Sequence, residues 1–305
     1  MAQSIIQKIS YYYQKMSRPG YSRGVFWMIM VCAVSNLNDI LIKFLGQRLP
    51  SIEVAFLRFV FSLLSLVPFV MVQGIAALRT GHPTYQILRS VLLFLGITAW
   101  CHGVCSVPLT VVTTLSFTVP LFVLPLAAMF LRERVTWQRW AATIVGFIGI
   151  LVIANPSSSS GLFSGLPVMT LIAATLAFAA LDIINKKIVI QETMLAMLFY
   201  SALGTSIISL PIAAMVWVMP DLIELLLLAL LGIGANLILF CILKAFAATE
   251  VSALAPFRYV ELVFSAIFGL MFFGELPTIQ VLMGASIIVP STLYLVYYES
   301  RQKTN

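Results

Sequence analysis

Three charged residues lie deep inside long apolar runs of the sequence. They are Arg58, Arg258 and Glu261, and Glu261 follows Arg258 by one turn on the same face of a predicted helix. An ionised side chain at the centre of a membrane-spanning helix costs about 2.5–3.5 kcal/mol to insert, so such groups face a cavity or each other. Two interpretations stay open: a site for the charged groups of a small substrate, or an Arg–Glu–Arg cluster that locks two halves of the protein together.

Aromatic residues in the same runs are candidates for contact with a flat ring or a cation. They are Trp100, Phe117, Tyr200, Phe257 and Tyr259. Each of them is alternatively a lipid-facing or packing side chain.

A second group of reactive side chains, Cys101, His102 and Cys105, only resembles a metal site. No second ligand pair follows these residues at the spacing that zinc sites use. We therefore expect no bound metal and no cofactor.

The composition shows what kind of element must carry these residues. Of the 305 residues, 61% are hydrophobic and 10% are charged, whereas soluble domains are about 45–50% apolar and about 25% charged. So few charges cannot cover a water-facing surface, which excludes a soluble enzyme and indicates an integral membrane protein. The net charge of +7 comes from basic residues between apolar runs, so it does not indicate nucleic-acid binding.

Ten apolar runs approach the length of about 20 residues that a membrane-spanning helix needs. They cover 24–44, 53–73, 85–105, 110–131, 137–154, 163–185, 194–216, 222–243, 251–273 and 278–297. Residues 1–22 predict a cytoplasmic interfacial segment, and residues 299–305 predict a cytoplasmic tail. With both termini cytoplasmic, fourteen basic residues fall inside, and only Lys43 and Arg48 fall outside. This asymmetry is the usual sign of membrane orientation.

The two halves of the chain match at a nearly fixed offset. The matching residues, 142 or 143 positions apart, are Asp39 and Asp182, Lys43 and Lys186, Pro68 and Pro211, and Glu133 and Glu275. Each half holds five spans, an odd number, so the second half must be inverted in the membrane. The predicted fold is therefore all-α, with ten transmembrane helices as two inverted five-helix repeats, 23–155 and 163–298. Such repeats are typical of secondary transporters, which hold substrate near the midplane between the halves.

Repeat symmetry separates expected scaffold charges from expected site charges. Asp39 with Lys43, and Asp182 with Lys186, are i,i+4 pairs near span ends, where each partner can neutralise the other and anchor the helix. Glu133 and Glu275 also lie at span ends, so we expect helix-end or gating contacts. Arg58, Arg258 and Glu261 instead match the uncharged residues Ser201, Ser116 and Val119, and our site prediction rests on those three charges.

Two segments resemble the paired signature of the drug/metabolite transporter superfamily, EamA type. They are 130–137 with Gly146 and Gly149 behind it, and 273–277 followed by Gly284. The runs 52–59, 181–187, 197–202 and 255–262 also resemble the S-adenosylmethionine uptake transporters of intracellular bacteria. This resemblance implies a ten-span inverted-repeat fold in the inner membrane, and uptake in exchange for S-adenosylhomocysteine rather than catalysis.

The implied substrate fits the candidate residues. Glu261 would receive a cationic group, Arg58 or Arg258 the carboxylate, and Trp100, Tyr200 or Tyr259 the adenine or the sulfonium. With a net charge of +1, the substrate would be driven inward by roughly 2.3 kcal/mol per 100 mV of membrane potential. Exchange for the neutral demethylated product would keep that electrical drive.

Three alternatives stay open. A carrier or exporter of amino acids or other small metabolites would use an Arg–Glu pair equally well. A membrane-embedded enzyme needs a nucleophile with a base, or a metal-binding cluster, but the chain has no paired-Asp motif and only His82 and His102. A non-transporting packing subunit would leave Arg58, Arg258 and Glu261 dispensable.

Overall fold

A computed structural model describes residues 20–106, 115–154 and 166–273, together with the single positions 283, 286, 287, 290, 291 and 294. The predicted interfacial segment lies almost entirely outside the described residues, as do Glu275 and the carboxy-terminal tail. The predicted tenth span is described only at those isolated positions.

The elements of the three described ranges are helices. They are α1 (Tyr21–Leu45), α2 (Ser51–Gln73), α3 (Pro83–Ser106), α4 (Val119–Leu126), α5 (Trp137–Ala154), α6 (Leu166–Ile188), α7 (Met194–Met215) and α8 (Leu222–Ala248). A short 3-10 turn, Ile75–Leu78, joins α2 to α3, and a π-helical turn, Ala127–Leu131, continues α4. The last segment comprises Val251–Leu254 (α), Ala255–Val260 (3-10) and Glu261–Phe273 (α). We call 251–273 the broken ninth helix.

These helices lie within a few residues of the predicted spans wherever both are described. Six of them, α1, α2, α3, α6, α7 and α8, are long and apolar enough to cross a membrane. Their outward faces carry large apolar side chains such as Phe69, Met71 and Leu226, as contact with lipid requires. The predicted multi-span organisation is therefore confirmed for the described part of the chain.

Helices from the two halves of the chain pack directly on each other. The most extensive contacts join α1 to α8, α3 to α6, and α2 to both α7 and α8. Gly232 makes the α2–α8 approach possible, because an added Cβ would lie 2.6 Å from Ser62 N and 2.8 Å from Arg58 O. The core of the bundle therefore consists of contacts between the halves.

Two helices lose their regular geometry beside this core. Pro125 lies two residues before the π-helical turn of α4, and Pro256 lies at the start of the 3-10 segment of the broken ninth helix. Proline has no N–H to donate, so it frees a carbonyl of the preceding turn. The backbone therefore departs from α-helical geometry beside both prolines, where candidate site residues lie.

Candidate functional site

A cavity of about 180 Å³ lies between helices of the two halves. Its walls come from α1, α2, α3, α4, α6, α7, α8 and the broken ninth helix. Its acidic and basic lining residues are Asp39, Arg58, Asp182, Arg258 and Glu261. The structure thus places the three predicted site charges together in one cavity, and adds two aspartates to them.

Arg58 faces this cavity without a hydrogen bond or ion pair to another described residue. Its side chain is buried, and its Nε has no hydrogen-bond partner among the described residues. Its guanidinium lies 5.9 Å from the ring centroid of Phe59, and Asp39 is the carboxylate that attracts it from across the cavity. A buried guanidinium with unmet donors suits a carboxylate, which it can bind with two parallel hydrogen bonds.

Arg258, by contrast, is already paired. Its guanidinium donates to the Asp182 carboxylate, and both side chains are largely buried. Lys186, one turn beyond Asp182, donates to the carbonyls of Phe246 and Thr249, each at 2.7 Å. The predicted pairing of Asp182 with Lys186 is therefore wrong, because Lys186 reaches unsatisfied carbonyls at the end of α8 while Asp182 faces the cavity.

Asp39 likewise belongs to the cavity rather than to a pair with its neighbour on α1. Its Oδ1 accepts a hydrogen bond from Trp100 Nε1 at 3.2 Å, while Lys43 is exposed. The prediction that Asp39 acts mainly as an anchoring partner of Lys43 does not match this arrangement.

Glu261 stands at the junction between the 3-10 and α-helical parts of the broken ninth helix. Its backbone carbonyl accepts from Asn36 Nδ2 at 3.0 Å. Cys32 Sγ donates to the carbonyls of Phe257 at 3.6 Å and Arg258 at 3.9 Å. Side chains of α1 therefore satisfy carbonyls along the break, and the Glu261 carboxylate itself has no hydrogen bond or ion pair to another described residue.

Two of the five candidate aromatic residues line the cavity. Trp100 packs edge-on against Phe178, with ring centroids 6.1 Å apart, and Phe117 is buried against Tyr259 at 5.6 Å. Both Trp100 and Phe117 therefore belong to the cavity wall.

The other three candidate aromatics, Tyr200, Phe257 and Tyr259, are packing residues that do not line the cavity. Phe257 is buried with its ring edge-on to Tyr21, with ring centroids 6.2 Å apart. Tyr259 is fully buried beside Gly146, and its hydroxyl donates to Thr143 O at 3.0 Å. Tyr200 packs edge-on against Phe199 and is absent from the cavity wall. Tyr259 points away from the cavity because neighbouring residues of a helical turn project in different directions, and its neighbour Arg258 faces the cavity.

The structure also shows site residues that the sequence analysis did not select. Asn38, Asn185 and Asn236 line the cavity. Asn236 Nδ2 donates to Ser62 O at 2.7 Å, and Ser62 Oγ donates to Asn236 Oδ1 at 2.8 Å. A buried amide inside an apolar span is costly unless it is bonded, and this signal was available in the sequence.

The cytoplasm-facing end of the site, in the predicted orientation, is held by Glu133. Its carboxylate accepts from the backbone N–H groups of Val251 and Ser252, each at 3.0 Å, and from Ser252 Oγ at 2.6 Å. Arg139 donates to Ser252 Oγ at 2.7 Å and pairs with Glu250 at 2.5 Å. Glu133 therefore caps the start of the broken ninth helix, which carries Arg258 and Glu261.

Comparison with known proteins places this geometry in a family. The model of the EamA-like transporter family matches residues 22–155 and 165–297. The S-adenosylmethionine uptake transporter of Rickettsia bellii is 46% identical, over 92% of this chain and 96% of that protein. The one from Rickettsia prowazekii is 45% identical, over 93% of this chain and 96% of that protein. A solved crystal structure with 15% sequence identity has the same fold, with a TM-score of 0.76 over 92% of this chain and 97% of that one. The chain is a multi-pass membrane protein and belongs to the EamA-like transporter family.

Proposed function

We propose that this protein is a secondary transporter that takes up S-adenosylmethionine across the bacterial inner membrane in exchange for S-adenosylhomocysteine. The relatives from Rickettsia, at 45–46% identity over more than nine-tenths of the chain, support the substrate. The observation that carries the proposal is a cavity in which the Arg58 guanidinium and the Glu261 carboxylate have no hydrogen bond or ion pair to another described residue.

The charges of the cavity complement the proposed substrate. S-adenosylmethionine carries a sulfonium, an ammonium and a carboxylate, and its net charge is +1. With all groups ionised, the three carboxylates and two guanidiniums that line the cavity have a net charge of −1. Opposite net charges let a charged ligand leave water without leaving an uncompensated ion behind.

Each part of the substrate has a partner in the cavity. Arg58 binds the carboxylate, because Arg258 is already neutralised by Asp182. Glu261 faces a cationic group. Trp100 and Phe117 offer ring surface to the adenine, and aromatic faces also attract cations.

Alternating access follows from two inverted five-helix repeats, 23–155 and 163–298. The repeated charges in the sequence support this division, and so do the helix contacts. In the two repeats, α1 corresponds to α6 and α3 corresponds to α8. The extensive contact between α1 and α8 therefore has its counterpart in the contact between α6 and α3. Regular geometry is lost in α4 and in the broken ninth helix, which are also counterparts. The distribution of basic residues supports cytoplasmic termini.

The test is a counterflow assay in proteoliposomes. Vesicles loaded with S-adenosylhomocysteine should accumulate labelled S-adenosylmethionine, and vesicles loaded with amino acids should not. The variant Arg58→Gln should abolish uptake, while Arg48→Gln, which changes an arginine outside the cavity, should retain it. Uptake of an amino acid without uptake of S-adenosylmethionine would show that the protein is a carrier of another metabolite on the same fold.

A further inference from the structure

The charged side chains that line the cavity do not balance one another. Arg258 and Asp182 form an ion pair, and Arg58 is attracted to Asp39. Glu261 then remains as a carboxylate with no counterion of its own among the described residues. An ionised carboxylate in this position, inside a membrane-spanning bundle, is costly unless a positive charge lies beside it or a proton neutralises it.

The surroundings of Glu261 show which groups could neutralise it. Within the described part of the chain, the titratable or charged groups that face the cavity beside it are Cys32 and Asp39 from α1, Arg58 from α2, Asp182 from α6, and Arg258 from its own helix. The lining residues of α3, of α4 with the turn before it, of α7 and of α8 include Trp100, Phe117, Ser201 and Asn236, and none of these lining residues is charged. Asp39 repels a negative charge on Glu261, whereas Arg258 attracts it. Asp182 already pairs with Arg258, and Asp39 attracts Arg58, so no described residue is left to neutralise Glu261 alone.

We propose, on the basis of the proposed function, that Glu261 holds a proton whenever no cationic ligand occupies the cavity and releases it when a sulfonium binds. In this step the O–H bond of the Glu261 carboxyl group breaks. The electron pair stays on the carboxylate oxygen, and the proton passes to water. No other bond changes. The ligand and the proton thus compete for one carboxylate.

This competition makes Glu261 the residue that distinguishes the substrate from its demethylated product. The two molecules differ by one methyl group and by the positive charge on sulfur. A sulfonium has no N–H or O–H to donate, so charge and aromatic contact are what a protein can use to recognise it. The neutral thioether leaves Glu261 protonated, and the cation leaves it ionised.

The stoichiometry of exchange follows from this difference. Inward movement carries the substrate cation with an ionised Glu261, and outward movement carries the neutral product with a protonated Glu261. In each direction the charge of the ligand and the charge of Glu261 add up to zero. Exchange is therefore electroneutral, and it depends on the proton gradient. This replaces the electrical drive that the charge of the substrate alone would give.

Ligand binding to the purified full-length protein tests the proposal directly. Affinity is measured between about pH 5 and pH 7, where the ammonium and carboxylate of the ligand keep their charges. Proton release is followed in weakly buffered solution. By linkage, a ligand that displaces a proton binds more weakly where that proton is held. For each unit by which the pH is raised, the affinity for S-adenosylmethionine should therefore increase up to about tenfold, because one carboxyl group titrates. Binding should release up to one proton.

S-adenosylhomocysteine and three variants supply the controls. S-adenosylhomocysteine should bind equally across this range and release no proton. Glu261→Gln should lose the pH dependence for S-adenosylmethionine, and Glu261→Asp should keep it. Glu53→Gln should behave like wild type, because Glu53 accepts a hydrogen bond from Val218 N at the outer end of α2 and does not line the cavity.

Two results would overturn the proposal while leaving the transport function standing. One is affinity for S-adenosylmethionine that does not change with pH and no proton release in wild type. The other is proton release that persists in Glu261→Gln. If wild-type protein binds neither adenosyl compound, the proposed function and this inference both fail.

Discussion

Trp100 donates its indole N–H to Asp39, with Nε1 3.2 Å from Oδ1. This contact joins α3 to α1 at the cavity wall and fixes the orientation of the Trp100 ring. It also leaves one oxygen of Asp39 available to a ligand. The indole therefore has two separable roles, as a hydrogen-bond donor and as an aromatic surface.

Substitution of Trp100 can separate these roles. Trp100→Phe keeps a ring but loses the donor, so S-adenosylmethionine should bind about 2- to 10-fold more weakly, as expected for one hydrogen bond. Trp100→Leu also loses the stacking surface, worth about 1–3 kcal/mol for a base, and should bind far more weakly still. Equilibrium binding measures both. Trp217→Phe, which changes a half-exposed tryptophan packed on Phe56, is the control. Equal affinity in both Trp100 variants would contradict a stacking role.

The unpaired guanidinium of Arg58 leads to a prediction about ligand chemistry. Wild-type protein should bind an analogue of S-adenosylmethionine that lacks the carboxylate about 10- to 100-fold more weakly, because a hydrogen bond to a charged group contributes about 1.5–3 kcal/mol. Arg58→Gln should reduce that difference to near zero. A competition assay measures the affinities of wild-type protein and of Arg58→Gln for S-adenosylmethionine and for the analogue. If Arg258→Gln and not Arg58→Gln removes the difference, the carboxylate binds at Arg258.

Hydropathy alone was sufficient to predict most of the fold. The predicted span 137–154 coincides with α5, and the starts of α7 and α8 match because Thr193 and Asp221 cap them. The 3-10 geometry of Ala255–Val260 was only partly predictable. Pro256 indicates a loosened turn, but the carbonyls there are stabilised by Cys32 and Asn36, about 225 residues away in the sequence.

The site was predictable where its signal was local. An arginine inside an apolar run must avoid lipid, so the sequence predicted that Arg58 and Arg258 face a cavity, and both line one. The role of Asp182 was missed because Lys186 lies at the attractive spacing of four residues, whereas its true partner, Arg258, is 76 residues away. The sequence could not show that Phe117 lines the cavity and Tyr259 does not, because this depends on the geometry of the turn that carries each ring.

The Asp182–Arg258 ion pair should show strong coupling in stability. Loss of one partner leaves a largely buried charge uncompensated, which costs up to about 3–5 kcal/mol. Asp182→Asn and Arg258→Gln should therefore each lower the thermal unfolding midpoint in detergent. The double variant should be less destabilised than the two single effects added together. Lys43→Gln removes an exposed charge on α1 and should leave the midpoint unchanged. Additive single effects would show that the two residues do not stabilise each other.

Glu133 should control the stability of the broken ninth helix. Glu133→Ala removes the acceptor for two backbone N–H groups and Ser252 Oγ, and loss of such a cap costs about 0.5–2 kcal/mol. Because the same helix carries Arg258 and Glu261, affinity for S-adenosylmethionine should fall together with stability. Glu133→Gln keeps one acceptor oxygen and should be intermediate. Arg134→Ala changes a neighbouring exposed charge and should match wild type in both measurements.

The close approach of α8 to α2 yields a prediction about helix packing at the level of Arg58. A methyl group at Gly232 would lie 2.6 Å from Ser62 N and 2.8 Å from Arg58 O. These atoms belong to backbone, so a rotamer change cannot relieve the contact and the helices must separate. Gly232→Ala should destabilise the protein by about 1–3 kcal/mol, as overpacking does, and should displace Arg58 enough to reduce counterflow. Gly81→Ala is the matched control, since its nearest atom is Glu192 Oε1 at 3.9 Å. Wild-type stability and counterflow in Gly232→Ala would show that α2 and α8 separate freely, and that Arg58 is not positioned by this contact.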